Sequence, residues 1–191
     1  MRVSKQQAAE NRRRIVETAG ALFRERGFNG IGVADLMKEA GLTHGGFYGH
    51  FASKDDLAAE AFAKAMAVSM EQWERVVEEA PGTGLATVAG RYLSAAHRDN
   101  PAAGCAIAAL GVDAGRQSGT VRRAFTSGLR PLIDLLARLV PGRSKAAQRE
   151  KALATLSGLV GALVLARAVD DPALSDEILA AARTAFGAAP E

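Results

Sequence analysis

The sequence holds one cysteine, three histidines and one tryptophan among 191 residues. The lone thiol, Cys105, has no intramolecular disulfide partner and belongs to no zinc ligand set, so a reducing compartment, the cytoplasm, is expected. His-Glu-x-x-His, Cys-x-x-Cys, a phosphate-loop lysine and Gly-x-Ser-x-Gly are all missing, and Gly82-Thr83-Gly84 follows no strand pattern. No catalytic residue, metal or cofactor is therefore expected. Long apolar runs are missing too. The longest uncharged stretch, Ala152 to Ala166, has 15 residues and includes Thr155 and Ser157, short of the roughly 20 that span a bilayer. It reads as a buried helix, with no membrane partner. Met1 to Arg14 carries five basic residues with no apolar stretch behind them, which is not the pattern of a secretory signal. Alternation with period two is rare, and β-branched and aromatic residues are sparse beside Ala, Leu, Arg and Glu. That excludes a substantial sheet and makes the fold class all-α.

What is present is ordinary globular usage, 48% apolar and 24% charged, enough for one or two small domains with a real core. The charge is unevenly placed. Up to Asp55, nine Lys or Arg (Arg2, Lys5, Arg12, Arg13, Arg14, Arg24, Arg26, Lys38, Lys54) face six acids, an excess of three that equals the net charge of the entire chain. A basic first quarter joined to a neutral remainder fits a first part that meets a polyanion and a second part with a different task. A merely solvated basic face is the plainer reading of the same count.

Periodicity divides the chain into helices. Asn11 to Arg26 puts Ile15, Ala19, Leu22 and Phe23 on one face, and Gly27 stops it. Val33, Leu36, Met37 and Ala40 make a short helix ended by Gly41, and Thr43 is placed to cap a third helix with Phe47 and Phe51 inward. This is helix-turn-helix spacing. Ser53 and Asp56, in capping-box register, open a long helix striped by Phe62, Met66, Met70, Trp73 and Val77 and closed by Pro81-Gly82. The domain boundary falls at its start, giving domains of residues 1–54 and 55–191. Later helices are expected over Leu85–His97, Ala102–Leu110, Ser118–Val140 with Pro131 bending or interrupting it, and Lys145–Val169. Ser175 would cap a last one, with Ile178, Leu179, Ala182 and Phe186 inward. The stretch Ala152–Ala166 is apolar all round, and Ala154, Gly158, Gly161 and Ala162 admit a close neighbour. A four-helix bundle across a two-fold axis, with the last two helices of each subunit, would cover it. Burial inside one subunit is the other way to do so.

The segment Thr43-His44-Gly45-Gly46-Phe47-Tyr48-Gly49-His50 sets three glycines in a short helix, each about 1 kcal/mol less favourable there than alanine. Stability does not select them. Missing side chains beside hydroxyl, imidazole and phenol groups suit close approach to another surface, and duplex DNA fits that demand. The run Ala40-Gly41-Leu42-Thr43-His44-Gly45-Gly46-Phe47-Tyr48-Gly49-His50-Phe51, followed by Ser53-Lys54-Asp55-Asp56-Leu57, resembles the TetR (AcrR-type) family of transcriptional repressors, closely from Asn11 to about Phe62. Beyond that the resemblance is one of helical layout. It implies an N-terminal three-helix helix-turn-helix domain joined by a long helix to a helical ligand-binding and dimerisation domain. It also implies that Thr43, His44, Gly45 and Tyr48 face the groove and adjoining backbone, that His50 sits near a phosphate, and that Lys54 meets phosphate at the start of the next helix. Phe47 and Phe51 would be core. His44 stands where the family commonly has a basic residue, and Ile31-Gly32 where it commonly has Thr or Ser. Arg12, Arg13 and Arg14 would add either phosphate attraction or a solvated face.

By the same resemblance the partners are double-stranded operator DNA, a second copy of the chain through the last two helices, and a small-molecule effector whose entry releases the DNA. Met66, Met70, Trp73, Tyr92, Cys105 and Phe125 are candidates to line its pocket, with core packing as the plainer role for each. The neutral second domain favours an uncharged or lipophilic effector. Cys105 reads as a buried inert thiol or, if exposed and acidified, as an oxidant sensor. Two other functions fit parts of the sequence: an architectural DNA-binding protein, and a thiol-based helical enzyme using His97 and Cys105.

Overall fold

A computed structural model describes residues 4–187 and is all-helical over them, with no strand among the described residues. Arg2, counted among the N-terminal cations, lies outside the described residues. Helix α1 spans Lys5–Arg26, starting earlier than its apolar stripe because Ser4 caps it, its side chain accepting from the Gln7 N–H. It ends at Gly27, whose φ of 75° no other residue type adopts easily. A Cβ there would also lie 2.5 Å from the Asp113 carboxylate. Helix α2, Val33–Glu39, is closed by Gly41 at φ 66°, where the Leu42 N–H reaches back to the Met37 carbonyl.

The third element is not the expected α-helix. His44–Gly49 forms a 3-10 helix, and the Thr43 side chain makes no capping hydrogen bond. Three glycines in six residues provide little helix propensity, so the chain settles into the tighter, shorter form. Phe47 and Phe51 still point inward, rings 5.7 Å apart, and close a small core with Ile15, Phe23, Leu36 and Met37.

Helix α3, Lys54–Glu79, begins where Ser53 accepts from the Asp56 N–H and donates to the Asp56 carboxylate. At ~1.5 Å per residue its 26 residues reach about 39 Å, far enough to belong to both halves of the molecule. It packs along α7, Gly119–Leu139, where the missing side chain of Gly128 admits Met66 and Phe62, and Phe62 stacks on Phe125 at 5.1 Å. Pro131 neither breaks nor ends α7. It and Ser127 are exposed, so the carbonyl left without its N–H partner is open to water.

The expected helix Leu85–His97 is two pieces, α4 (Gly84–Tyr92) and the single turn α5 (Ala95–Arg98). Ser94 divides them: its hydroxyl donates to the Arg91 carbonyl and accepts from the His97 N–H, ending one helix and starting the next. Ala96, which an unbroken helix would turn inward with Val88, Ala89 and Tyr92, is consequently exposed. A 3-10 turn, Pro101–Ala103, and α6, Ala106–Ala114, replace the single helix expected over Ala102–Leu110.

Helices α8 (Lys145–Ala168) and α9 (Pro172–Gly187) form a closely packed pair. Asp171, not Ser175, receives the first N–H groups of α9, from Ala173 and Leu174. The Ser175 hydroxyl is buried instead and donates to the Ala166 carbonyl at 2.6 Å, tying α9 to the end of α8. Of the small residues on α8, Gly158 is used within the chain, since a Cβ there would meet the Phe186 ring at 2.1 Å, and Ala162 is buried. Gly161 has nothing within 4 Å among the described residues and Ala154 is exposed. Leu153 and Leu165 of α8 and Leu174 of α9 are exposed as well, Leu165 by 57%. By length and composition α8 could cross a membrane, yet its stripe Ala152, Leu156, Leu159 and Leu163 is buried in the core. One continuous apolar cluster runs from Ile15 to Ala182.

Candidate nucleic-acid interface and ligand cavity

The 3-10 helix His44–Gly49 is fixed from beneath and open above. Phe47 is buried, and Tyr48 beside it is 68% exposed, its ring edge-on to Phe47 at 5.2 Å and to His44 at 6.3 Å. Side chains added at Gly45 or Gly49 would meet no atom of the described residues within 4 Å. Packing therefore gives no reason for these glycines. Thr43, His44 and Gly45 are exposed, and His50 is half-buried where the 3-10 helix ends. Thr43, Gly46 and His50 border a shallow concavity shared with Asn11 and Lys38. The surface thus combines an exposed phenol, two imidazoles, a hydroxyl and bare backbone.

Lys54, at the first turn of α3, is half-buried, with its ammonium 5.9 Å above the Phe23 ring. Burial lowers its pKa from the ordinary lysine value, and neighbouring Asp55 opposes that shift. Of the three N-terminal arginines, Arg12 is engaged within the chain while its side chain keeps 40% of its exposure. Its guanidinium donates to the His50 carbonyl, pairs with Glu60 of α3 and stacks 4.2 Å from the Phe51 ring centre. It clamps the end of the 3-10 helix to α1 and α3. Arg13 and Arg14 remain exposed.

In the second half, a cavity of about 280 Å³ opens between α3, α4 and the segment leading into α6. Of the six residues expected around a pocket, Trp73, Tyr92 and Cys105 line it. Met66 and Phe125 do not, being packed in the α3–α7 seam, and Met70 lies half-buried against the core. Sequence reasoning missed Ser69, Gln72, Arg75, Arg91 and His97, all of which line the cavity. A signal existed: Ser69, Gln72, Trp73 and Val76 fall at i, i+3, i+4 and i+7, one helix face with polar groups where a core face would be apolar.

His97 organises the inner wall. Its Nε2 accepts the Cys105 N–H at 3.0 Å, so the proton resides on Nδ1, which donates to the Tyr92 carbonyl at 2.6 Å. Burial, assisted by the positive charge of Arg167, lowers the His97 pKa and keeps the ring neutral. Its ring stands edge-on to Tyr92 at 4.7 Å, and Trp73 meets Tyr92 edge-on at 5.7 Å. The Tyr92 hydroxyl is buried and meets no geometric hydrogen-bond partner among the described residues. Burial pushes the phenol pKa well above its ordinary value, and the neighbouring Cys105 thiol, a weak hydrogen-bonding group, raises it further. Among the described residues no cluster of His, Cys, Asp or Glu side chains is arranged to hold a metal.

The cavity wall is wired to the first helix. Arg24 of α1 donates to the Ala102 carbonyl at 2.7 Å, next to the lining residues Ala103, Gly104 and Cys105. Asp113 of α6 accepts from the Phe28 N–H just beyond α1 at 3.3 Å. Arg167 of α8 donates to the His97 and Arg98 carbonyls, fixing the same segment from the other side.

Comparison with known proteins agrees with this arrangement. Residues 15–61 match the model for bacterial regulatory proteins of the tetR family. The HTH-type transcriptional regulator AcrR of Shigella flexneri is 39% identical over 59 residues, covering 31% of this chain and 27% of that protein. The chain thus spans about a quarter of that curated relative's length. The crystal structure of Escherichia coli NemR in its reduced form superposes with a TM-score of 0.77 at 21% identity, covering 95% of this chain and 98% of that one. The structure of AibR in complex with isovaleryl coenzyme A and operator DNA superposes at 0.65 and 17% identity, covering 92% and 97%.

Proposed function

The chain belongs to the TetR family of DNA-binding transcriptional regulators, and on that premise we propose that it is a homodimeric repressor that leaves a palindromic operator when a small molecule fills the cavity. It is a regulator rather than an enzyme. The observation that carries the DNA-reading part is the 3-10 helix His44–Gly49, whose exposed Tyr48 and unobstructed Gly45 and Gly49 suit the approach of a groove. In this reading Thr43, His44, Gly45 and Tyr48 meet bases and adjoining backbone. His50 and Lys54 meet phosphates, and Arg13 and Arg14 add attraction that salt weakens. Arg12 positions the reading element.

The division into residues 1–54 and 55–191 then separates reading from sensing. The dimer forms through the open face of α8 and α9, where Leu153, Leu165, Leu174 and Gly161 await a second copy. Two reading helices must meet half-sites about 34 Å apart or a multiple of it. A ligand that moves the segment Ala102–Cys105 pulls on Arg24 and hence on α1, and a coupling of roughly 1–3 kcal/mol is enough to shift occupancy. The protein acts where the chromosome is, in the cytoplasm.

The test is selection of bound duplexes from random DNA by the purified protein, with the mass of the complex measured at moderate salt. An inverted repeat bound by a dimer is the expected result. Uniform binding to all duplexes would instead indicate an architectural protein, and a monomer on a single half-site would remove the dimer.

A further inference from the structure

We propose that the cavity between α3, α4 and the segment before α6 binds small aromatic carboxylic acids bearing a second, neutral hydrogen-bonding group such as a phenol across the ring. The inference deepens the repressor reading by naming the class of effector, and rests on that reading for its regulatory sense alone. Three features of the cavity carry it.

At the inner end, the Tyr92 hydroxyl is buried without a full hydrogen-bond partner among the described residues, the Cys105 thiol beside it being only a weak hydrogen-bonding group. Neither nitrogen of His97 can serve it, because one is taken by the Cys105 N–H and the other by the Tyr92 carbonyl. A buried hydroxyl left unpaired is costly, and although its oxygen is closed off from the empty cavity, a polar ligand atom that displaces the covering side chains would satisfy it. Between the ends, Trp73, Val76, Val88 and Leu132 supply apolar walls, with Trp73 edge-on to Tyr92, a surface suited to a flat ring. At the outer end Arg75 and Arg91 line the cavity from two different helices, and no acidic residue lines it with them. Arg75 makes no ion pair among the described residues, and Arg91 has only a 3.7 Å pairing with exposed Glu79. Such a rim favours a carboxylate, which a guanidinium can hold bidentately.

The expectation of an uncharged effector came from the neutral total of the second domain. A total hides two arginines brought together by folding. The volume, about 280 Å³, lies just below the roughly 300 to 1,000 Å³ of most ligand sites, and suits a small ligand built on one ring.

Trp73 is the single tryptophan, so its fluorescence reports on the site directly. The full-length protein is titrated with 3-(4-hydroxyphenyl)propanoate, its methyl ester and 3-phenylpropanoate. The acid should change Trp73 emission saturably and bind about tenfold more tightly than the ester. The double variant Arg75→Met with Arg91→Met should erase that preference while still binding the ester, which shows its fold intact. Tyr92→Phe should weaken the phenolic acid several-fold relative to 3-phenylpropanoate. Equal binding of acid and ester overturns the proposed class, and no saturable change with any probe overturns the site. The same preparation is assayed against the selected duplexes. Protein that binds the inverted repeat but none of the probes refutes this inference alone, and protein that binds the acid but no duplex refutes the repressor reading alone.

Discussion

Gly45 and Gly158 both sit in helical segments, yet their surroundings are opposite. At Gly158 a Cβ would lie 2.1 Å from the Phe186 ring of α9, while at Gly45 it would meet nothing within 4 Å. The first absence is filled by the chain itself. The second leaves bare backbone on a surface that also presents Tyr48 to solvent. A glycine of the first kind serves packing, and one of the second kind makes physical sense only if something outside the chain comes close. The contrast extends to the cavity, where the unpartnered Tyr92 hydroxyl is a polar counterpart of that empty space.

The packing side of this contrast carries the largest expected effect on stability. Gly158→Val should force α8 and α9 apart, a loss of about 1–3 kcal/mol for overpacking. Thermal unfolding followed by circular dichroism should then show a midpoint lower by about 2–4 °C for each kcal/mol lost. A midpoint equal to the wild type would mean that Phe186 moves aside freely and that the close approach is not a constraint.

These distinctions were unequally legible in the sequence. The apolar stripes could be read because a helix repeats every few residues, so Ile15, Ala19, Phe23, Leu36, Met37 and Phe47 are where their spacing put them. The Ser53–Asp56 cap was readable for the same reason, being local. The unread features join residues far apart in the chain. Arg12 finds Glu60 across 48 positions, and the Ser175 hydroxyl prefers the Ala166 carbonyl to its own helix end. The cavity was half legible because a stripe on a long helix changes neighbours along its length. Met66 meets α7 at Gly128, whereas Trp73, two turns later, meets Tyr92 of α4. Arg75 and Arg91 carry no signal in the sequence, because it is the packing of α3 with α4 that brings them to one opening.

A second, smaller effect probes the wall between sensing and reading. His97 is neutral in the folded protein because burial lowers its pKa, whereas in the unfolded chain it titrates near 6.5. Between those two values the unfolded state holds a proton that the folded state lacks, so stability falls as the pH drops below about 6.5. For one proton the slope is at most about 1.4 kcal/mol per pH unit. His97→Gln removes this titration along with two hydrogen bonds, so the wild type should be the more stable at pH 7.5 and its advantage should narrow toward pH 5 in urea unfolding. An advantage that stays constant or widens would show that His97 is not held neutral.

The smallest change in stability is the one that separates the two kinds of glycine. Gly45 has no positive φ and no neighbour within 4 Å of its missing Cβ, so Gly45→Ala should stabilise the protein by about 0.4–1 kcal/mol, chiefly by restricting the unfolded chain. The same methyl group would stand on the surface proposed to approach the duplex and should weaken binding to the selected inverted repeat by tenfold or more. A substitution that damaged the fold would lower both quantities together, and a neutral surface position would leave affinity unchanged. Only a site kept bare for an external partner gains stability while losing affinity, so unfolding and duplex titration on this one variant distinguish a functional absence from a structural one.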